Sequence, residues 1–379
     1  MSLAPALFVF CVLLSSAATP AHAQSETLFY SFAPSPDGAS PVAPLVLDSK
    51  ENLYGTTQDG GANRFGTVFK ITPSGAETVL HSFPANSMDG ALPEAGLVMD
   101  SNGNLYGTTS SGGAHGVGTV FEVTPAGTET VLYSFTGGPD GGIPYGGLVL
   151  DSEGNLYGTT RSGGAYHGGT VFELTPSGAE TVWHSFGHGA DGKVPYAGLV
   201  RDSIGNLYGT TYNGGTAGLG TVFQITASGT ETVLHSFTGT SGQDGAYANA
   251  SLIRDAAGNL YGTTVGGSKG ASIAFEISAS GKETVLYVFP TGDQAYGGLV
   301  MDSPGNLYGT TKYGGTNKVG GVYEITVSGT VPTLYSFVKS QKDGYYPMAG
   351  LVLDKSGNLY GTSFRGGHHS NGAVFKVVP

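Results

Sequence analysis

The sequence predicts an all-β fold, a seven-bladed β-propeller with four antiparallel strands per blade, from three observations. One unit recurs seven times at intervals of 47 to 53 residues. Each unit contains four short strand-like segments, and the two ends of the chain are staggered so that they complete each other. A repeat of this period forms small sheets that cannot bury their own faces, so neighbouring units must stack.

The repeat is marked by the hexapeptide Asn-Leu-Tyr-Gly-Thr-Thr, which ends in Ser363 in the last copy. Its regular return along nearly the whole chain indicates one closed domain over residues 24–379 rather than two domains. The copies begin at Asn52, Asn104, Asn155, Asn206, Asn259, Asn306 and Asn358.

Four segments follow one another in each unit, for example residues 147–151, 155–160, 170–174 and 181–186. They are rich in Val, Phe, Tyr and Thr, which suit half-buried pleated surfaces. Asp-Ser-x-Gly and Pro-x-Gly sequences separate the first pair and the last pair, and both favour tight turns. The unit is therefore predicted to be a four-stranded meander, and its continuously apolar first segment predicts burial on both faces.

The two ends of the chain predict a ring. Residues 26–32 look like a fourth segment without the first three, and residues 373–378 look like a third segment without the fourth. If the first segment completes the last blade, no sheet edge is left unpaired. A β-solenoid is the alternative, but a solenoid needs polar end caps, and the sequence contains no atypical cap.

A signal peptide is predicted over residues 1–23. The run 7–14 is apolar, and Ala21-His22-Ala23 fits a small-x-small cleavage site that leaves Gln24 as the new N-terminus. The only cysteine, Cys11, lies in this segment, so the mature chain has no disulfide and no thiol ligand. We expect a secreted, periplasmic or extracellular protein.

Composition excludes some classes of partner. Charged residues make up 12% of the chain and its formal net charge is −12, which disfavours nucleic acid and anionic membrane surfaces. Beyond the signal peptide, no segment is long and apolar enough to span a bilayer. We expect a monomer with no cofactor and no bound metal.

The long repeated pattern Gly-Leu-Val-x-Asp-Ser-x-Gly-Asn-Leu-Tyr-Gly-Thr-Thr, followed by Gly-Gly and Gly-Thr-Val-Phe, resembles the bacterial GloVer tandem repeat of exported choice-of-anchor proteins. Its first half is similar to an NHL-type propeller blade. That resemblance implies that the Gly-Leu-Val strand is innermost and that the fourth strand is outermost. Because the chain ends on a strand with no anchor segment, we expect a soluble exported protein.

The meander assigns the turns to two rims. One rim is nearly uniform, and its Asp-Ser turns carry an aspartate in every copy: Asp48, Asp100, Asp151, Asp202, Asp255, Asp302 and Asp354. A calcium-binding ring is one interpretation of this repetition, but turn formation explains an aspartate at this position more simply.

The other rim varies between copies, and variation on a fixed scaffold favours binding. We expect a mouth ring around the central channel, formed by the residue two before each inner strand: Val42, Glu94, Tyr145, Tyr196, Asn249, Tyr296 and Met348. A loop ring follows each Gly-Thr-Thr: Gln58, Ser110, Arg161, Tyr212, Val265, Lys312 and Phe364, with Tyr313 and Arg365 one residue further on. Alternatively, the tyrosines pack over the blades and the loops simply vary.

Tyrosines mixed with amide, carboxylate and cationic groups suit a carbohydrate, a peptide or a surface protein. The leading hypothesis is therefore a non-catalytic binding propeller. A polysaccharide hydrolase or lyase that uses Glu94 with rim aspartates is the alternative, and a structural or adhesive module is another. The aspartates considered for this role are those of the Asp-Gly sequences in the blade connections: Asp37, Asp89, Asp140, Asp191, Asp244 and Asp343. His81, His184 and His235 replace tyrosine at one outer-strand position, where we expect a structural role.

Overall fold

The computed structural model describes residues 25–84, 88–239, 244–267 and 270–379. The predicted signal peptide and its cleavage site therefore lie outside the described residues. Within these ranges, no helix has the length and hydropathy needed to cross a membrane.

The chain folds as a seven-bladed β-propeller of antiparallel blades, with four strands in each. Blades are numbered in chain order, so that blade 1 contains Leu53–Thr57. The inner strands are Val46–Leu47, Val98–Met99, Val149–Leu150, Val200–Arg201, Ile253–Arg254, Val300–Met301 and Val352–Leu353. The second strands are Leu53–Thr57, Leu105–Thr109, Leu156–Thr160, Leu207–Thr211, Leu260–Gly267, Leu307–Thr311 and Leu359–Ser363.

The outer half of each blade consists of a third and an outer strand. The third strands are Thr67–Ile71, Thr119–Val123, Thr170–Leu174, Thr221–Ile225, Ile273–Ile277, Gly321–Ile325 and Ala373–Val378. The outer strands are Glu77–Ser82, Glu129–Ser134, Glu180–Ser185, Glu231–Ser236, Glu283–Val288, Thr333–Ser336 and, for blade 7, Ser25–Ser31.

Short ladders join the blade connections to the Gly-Gly loops. They pair Gly38–Ala39 with Asp59–Gly60, Gly90–Ala91 with Ser111–Gly112, Gly192–Lys193 with Asn213–Gly214, and Gly344–Tyr345 with Arg365–Gly366. In blade 5, Gly245–Ala248 pairs with the extended end of the second strand.

The ring closes as the sequence predicts. Ser25–Ser31 runs antiparallel to Ala373–Val378, with Ser25 opposite Val378 and Ser31 opposite Ala373. The amide of Phe32 continues the contact by donating to the carbonyl of Gly372 at 3.2 Å. The outermost strand of blade 7 is thus the first described strand of the chain.

Each hydrophobic core lies between two blades rather than inside one. Phe83 of blade 1 is fully buried and contacts Phe121 of blade 2 edge-to-face, with ring centroids 5.2 Å apart. Phe32 makes the corresponding contact with Phe69 across the closure, at 5.1 Å. Stacking the blades around the ring is therefore what removes their aromatic residues from water.

The inner strands differ from the prediction of burial on both faces. Leu97 is buried, but the paired residues Val98 and Met99 that follow it are only half-buried. Met99 packs against the core between blades 1 and 2, and Val98 packs against the core between blades 2 and 3. Both faces therefore contact a neighbouring blade, and the strand remains only half-buried because it is the last strand of its sheet.

The glycine of Leu-Tyr-Gly-Thr-Thr is required by close packing. A Cβ on Gly158 would lie 2.6 Å from Cζ of Phe172 and 2.8 Å from Cδ2 of Leu148. Both distances are shorter than any real carbon contact, so the aromatic ring occupies the space that a side chain would need.

Candidate functional site

The first threonine of Gly-Thr-Thr fixes the position of the mouth ring. Its hydroxyl donates to the carbonyl of the residue that follows the mouth-ring residue in the next blade. Thr56 thus bonds the carbonyl of Ala95 at 3.0 Å, and Thr362 bonds that of Ala43 at 3.2 Å across the closure. The bond recurs at every boundary, since Thr108, Thr159, Thr210, Thr263 and Thr310 make it as well.

A left-handed residue two positions before the mouth ring connects neighbouring loops. Ile143 has φ +57° although it precedes proline, a position where this conformation is disfavoured. Its amide donates to the carbonyl of Val117 in the preceding blade at 2.7 Å, and its carbonyl accepts from the main-chain amide of Arg161 at 3.2 Å. Positive φ recurs at the equivalent residues Ser40, Leu92, Val194, Tyr247 and Tyr346.

The mouth ring surrounds one cavity, as expected if the Gly-Leu-Val strands are innermost. The cavity has a volume of about 600 Å³ and lies at the channel mouth. All seven mouth-ring residues line it and are partly exposed: Val42, Glu94, Tyr145, Tyr196, Asn249, Tyr296 and Met348. Three loop-ring residues join them: Gln58, Lys312 and Phe364.

One side of the cavity carries a carboxyl–amide pair. The side-chain amide of Gln58 donates to Oε1 of Glu94. Burial raises the pKa of Glu94 to about 7, although the bond from Gln58 opposes the shift. Among the described residues that line the cavity, Glu94 is the only carboxylate.

The next two mouth-ring positions after Glu94 carry aromatic rings, and a cation that does not itself line the cavity lies against them. Tyr145 and Tyr196 lie 5.4 Å apart at an angle of 40°. The guanidinium of Arg161 lies 6.0 Å from the Tyr145 ring and 5.5 Å from the Tyr196 ring. Its Nε is buried without a hydrogen-bond partner, and Arg161 forms no salt bridge with any residue in the described ranges.

A second cation stands beside the next tyrosine. The ammonium of Lys312 lies 4.8 Å from the Tyr296 ring and 5.3 Å from the Tyr313 ring. Burial lowers the pKa of Lys312, and no carboxylate of the described chain forms a salt bridge with it. Lys312 in the cavity lining and Arg161 beside Tyr145 and Tyr196 therefore have no counter-charge within salt-bridge distance among the described residues.

The remaining predicted residues lie further from the cavity. Tyr212 packs edge-to-face on Tyr196 at 5.3 Å and stacks on Tyr247 at 4.9 Å. Arg365 is exposed and lies over Phe364 at 4.4 Å. Tyr247 did not enter the sequence-based set because it stands where most copies have the residue before proline; its aromatic character was the available signal.

The aspartates of the uniform rim form turns. Oδ1 of Asp151 accepts from the amides of Glu153 and Asn155, both at 2.9 Å, and Oδ2 accepts from Asn155 and Tyr157 side chains at 3.0 and 3.1 Å. Because both oxygens are used within one hairpin, these bonds favour the turn interpretation over a calcium ring.

The Asp-Gly aspartates also have structural contacts. Oδ1 of Asp191 accepts from the amide of Gly192 at 2.6 Å, and Oδ2 lies 2.9 Å from Nε2 of His184. None of the Asp-Gly aspartates is among the cavity-lining residues in the described part of the chain.

The sequence matches the Gloeobacter/Verrucomicrobia repeat family over residues 17–204 and again over residues 148–375. The chain belongs to this family. The two matches together extend across all seven blades of the Gloeobacter/Verrucomicrobia repeat propeller. Among curated proteins, none is similar enough to this chain to be matched.

Solved structures similar to this repeat protein include two of the extracellular domain of BT4673 from B. thetaiotaomicron, assigned as a one-component system and as a hybrid two-component system. They are 14% and 13% identical, with TM-scores of 0.59 and 0.61, and each match covers 89% of this chain. The chain spans 38% of the length of either. This likeness shows the propeller fold.

A gluconolactonase from Xanthomonas campestris is more remote. It is 14% identical, with a TM-score of 0.47, over 73% of this chain and 82% of its own. A likeness of that size carries no argument about the chemistry of the repeat protein's cavity.

Proposed function

We propose that this protein is an exported, non-catalytic propeller that binds a carbohydrate in the cavity of its channel mouth. The observation that carries the proposal is the lining itself, in which Tyr145, Tyr196 and Tyr296 are combined with the amide, carboxyl and ammonium groups of other residues. The polar residues are Gln58, Glu94, Asn249 and Lys312. Sugars combine apolar C–H faces with hydroxyl groups, so both kinds of lining surface find a partner.

Charge narrows the class of sugar. Arg161 and Lys312 are free of salt bridges within the described residues, and both lie against tyrosine rings. A carboxylate on the ligand would gain a charge-assisted hydrogen bond from Lys312, which lines the cavity, and electrostatic attraction from Arg161 beside the Tyr145 and Tyr196 rings. Glu94, whose pKa burial raises to about 7, would be partly neutral and would repel such a ligand less. We therefore favour an acidic oligosaccharide.

Two observations support the proposal that the protein is exported. Residues 1–23 have the composition of a signal peptide, and the similar B. thetaiotaomicron structures are of extracellular domains. The distant likeness supports the proposal without extending the activity of those proteins to this one.

The test is calorimetric titration of the mature protein with oligogalacturonate, with a neutral cello-oligosaccharide and with a mixed peptide library. We expect the acidic sugar to bind best and Tyr196→Ala to weaken it by about tenfold, the loss of one ring contact. The matched control is Tyr166→Ala, because Tyr166 is 52% exposed and does not line the cavity.

Three results would count against carbohydrate binding. Peptide binding that is equally sensitive to Tyr196→Ala would assign the cavity to a peptide. Sugar binding that survives Tyr196→Ala would move the site elsewhere on the surface. Binding of neither class would favour the structural or adhesive module.

The second candidate is a polysaccharide hydrolase or lyase, and the protonation of Glu94 favours it. A carboxyl group with a pKa of about 7 suits a general acid. Incubation of the same oligosaccharides with the wild type and with Glu94→Gln tests this role. Cleavage by the wild type that the variant loses would replace the non-catalytic proposal.

A further inference from the structure

A three-residue cluster recurs between neighbouring blades, away from the channel. It combines the Asp of an Asp-Gly turn, a Tyr or His from the outer strand before that turn, and the Glu that opens the next outer strand. Histidine occupies the second position at three boundaries, which gives the clusters His81–Asp89–Glu129, His184–Asp191–Glu231 and His235–Asp244–Glu283.

The geometry of the histidine clusters suits a single ion. In each cluster, one nitrogen and two carboxylate oxygens lie within 4.8 Å of one another. The distance from histidine Nε2 to the nearest aspartate oxygen is 3.9 Å for His81 and Asp89. It is 2.9 Å for His184 and Asp191, and 3.1 Å for His235 and Asp244. Two ligands of one zinc ion, each about 2.0–2.2 Å from it, are separated by roughly 3–4 Å.

Orphaned polar atoms face these clusters. Oε1 of Glu129, Glu231 and Glu283 is buried without a hydrogen-bond partner, and so is Nε2 of His81. The same glutamate oxygen is unbonded at tyrosine boundaries, at Glu26, Glu77 and Glu180, so the imidazole nitrogen is what distinguishes the histidine clusters. Two carboxylates brought together at a partly dry boundary need a proton or a cation between them. The side chains of Asp191 and Asp244 are only 10% and 8% exposed, so water screens them little.

The tyrosine boundaries have a different chemistry. Oη of Tyr30 donates to Asp37 at 2.7 Å, and Oη of Tyr335 donates to Asp343 at 2.9 Å. A neutral phenol offers a proton to the aspartate, whereas an imidazole offers a lone pair to a metal. Replacement of Tyr by His therefore changes a hydrogen-bond donor into a nitrogen ligand beside two carboxylates.

We propose that the three His–Asp–Glu clusters each bind one divalent transition-metal ion of the zinc type. A mixed nitrogen and oxygen donor set favours such an ion over calcium, which takes oxygen ligands. Each ion joins the outer strands of two adjacent blades, so it stabilises the ring. The proposal is independent of the carbohydrate cavity, because none of these nine residues lines it.

The experiment uses the untagged mature chain, stripped with a chelator and titrated with ZnCl₂ alone, and the bound metal is measured by elemental analysis. We expect three zinc ions per chain and a higher melting temperature with zinc than without. Each of His81→Tyr, His184→Tyr and His235→Tyr should remove one ion, and the triple variant should bind none and lose the thermal shift.

The substitution to tyrosine keeps the test interpretable, since Tyr occupies this position natively at Tyr30, Tyr133, Tyr287 and Tyr335. Tyr133→Phe is the matched control and should leave three ions bound. Absence of zinc from the folded wild type overturns the proposal, and so does zinc that remains on the folded triple variant.

Discussion

Closure of the ring predicts the cost of removing one phenylalanine. Phe32 belongs to the connection that follows the first described strand, and Phe186 is its equivalent between blades 3 and 4. Both are fully buried, and their ring centroids lie 5.1 Å from Phe69 and 4.9 Å from Phe223 in the following blade. Truncating a fully buried phenylalanine to alanine costs about 3–5 kcal/mol.

Phe32→Ala and Phe186→Ala should therefore destabilise the protein by similar amounts, within about 1 kcal/mol of each other. The reason is that a residue in a segment that opens independently reports at most the free energy of that local opening. Equal costs mean that the chain end is held as firmly as an internal blade.

The assay is guanidinium unfolding of both variants and the wild type, with the transition midpoints compared at equal slopes. A cost below about 1 kcal/mol for Phe32→Ala, together with the full cost for Phe186→Ala, would refute the reasoning. The ring would then be closed in the structure but open for much of the time in solution.

Three further substitutions or conditions test other contacts. Tyr323 is buried with an unbonded hydroxyl where other copies have Phe. Tyr323→Phe should therefore raise the free energy of unfolding by about 1–2 kcal/mol. A lower free energy of unfolding would mean that the hydroxyl has a partner such as water. Gly158→Ala should cost about 1–3 kcal/mol by forcing the Phe172 ring aside, measured by the same unfolding assay; no cost would mean that the ring moves freely. Burial raises the pKa of Glu94 and of Glu180 to about 7. Their protonated forms favour the folded state, so stability should fall as pH rises from about 4.5 to above 7; thermal melting at pH 5 and pH 8 should show less of this fall in Glu94→Gln.

The sequence was sufficient for most of the fold because the repeat reports each structural requirement seven times. Strand positions, turns and ring closure could all be predicted from one period and two staggered ends. The half-exposure of the inner strands could not, since Val98 is as apolar as a fully buried valine such as Val120. How much of the strand is covered depends on its place at the end of its sheet, which the apolar run does not show.

The mouth ring could be predicted because its members differ where the rest of the repeat is constant. The position of Arg161 beside two tyrosine rings could not, because it depends on how two blades are placed relative to each other. The left-handed backbone of Ile143 was equally hidden, since its local sequence disfavours it and only hydrogen bonds to two separate loops hold it. The histidine clusters join residues from adjacent blades, so a search within one repeat does not find them.

The threonine bond beneath every mouth-ring residue has a consequence for the lining of the cavity. Thr56 and its six equivalents each donate a hydrogen bond to a main-chain carbonyl of the neighbouring blade. This bond holds the backbone without using the side chain of the mouth-ring residue. The seven mouth-ring positions already hold valine, glutamate, tyrosine, asparagine and methionine on the same backbone. Point replacements at these seven positions can therefore change the lining of the cavity without changing the backbone that carries it.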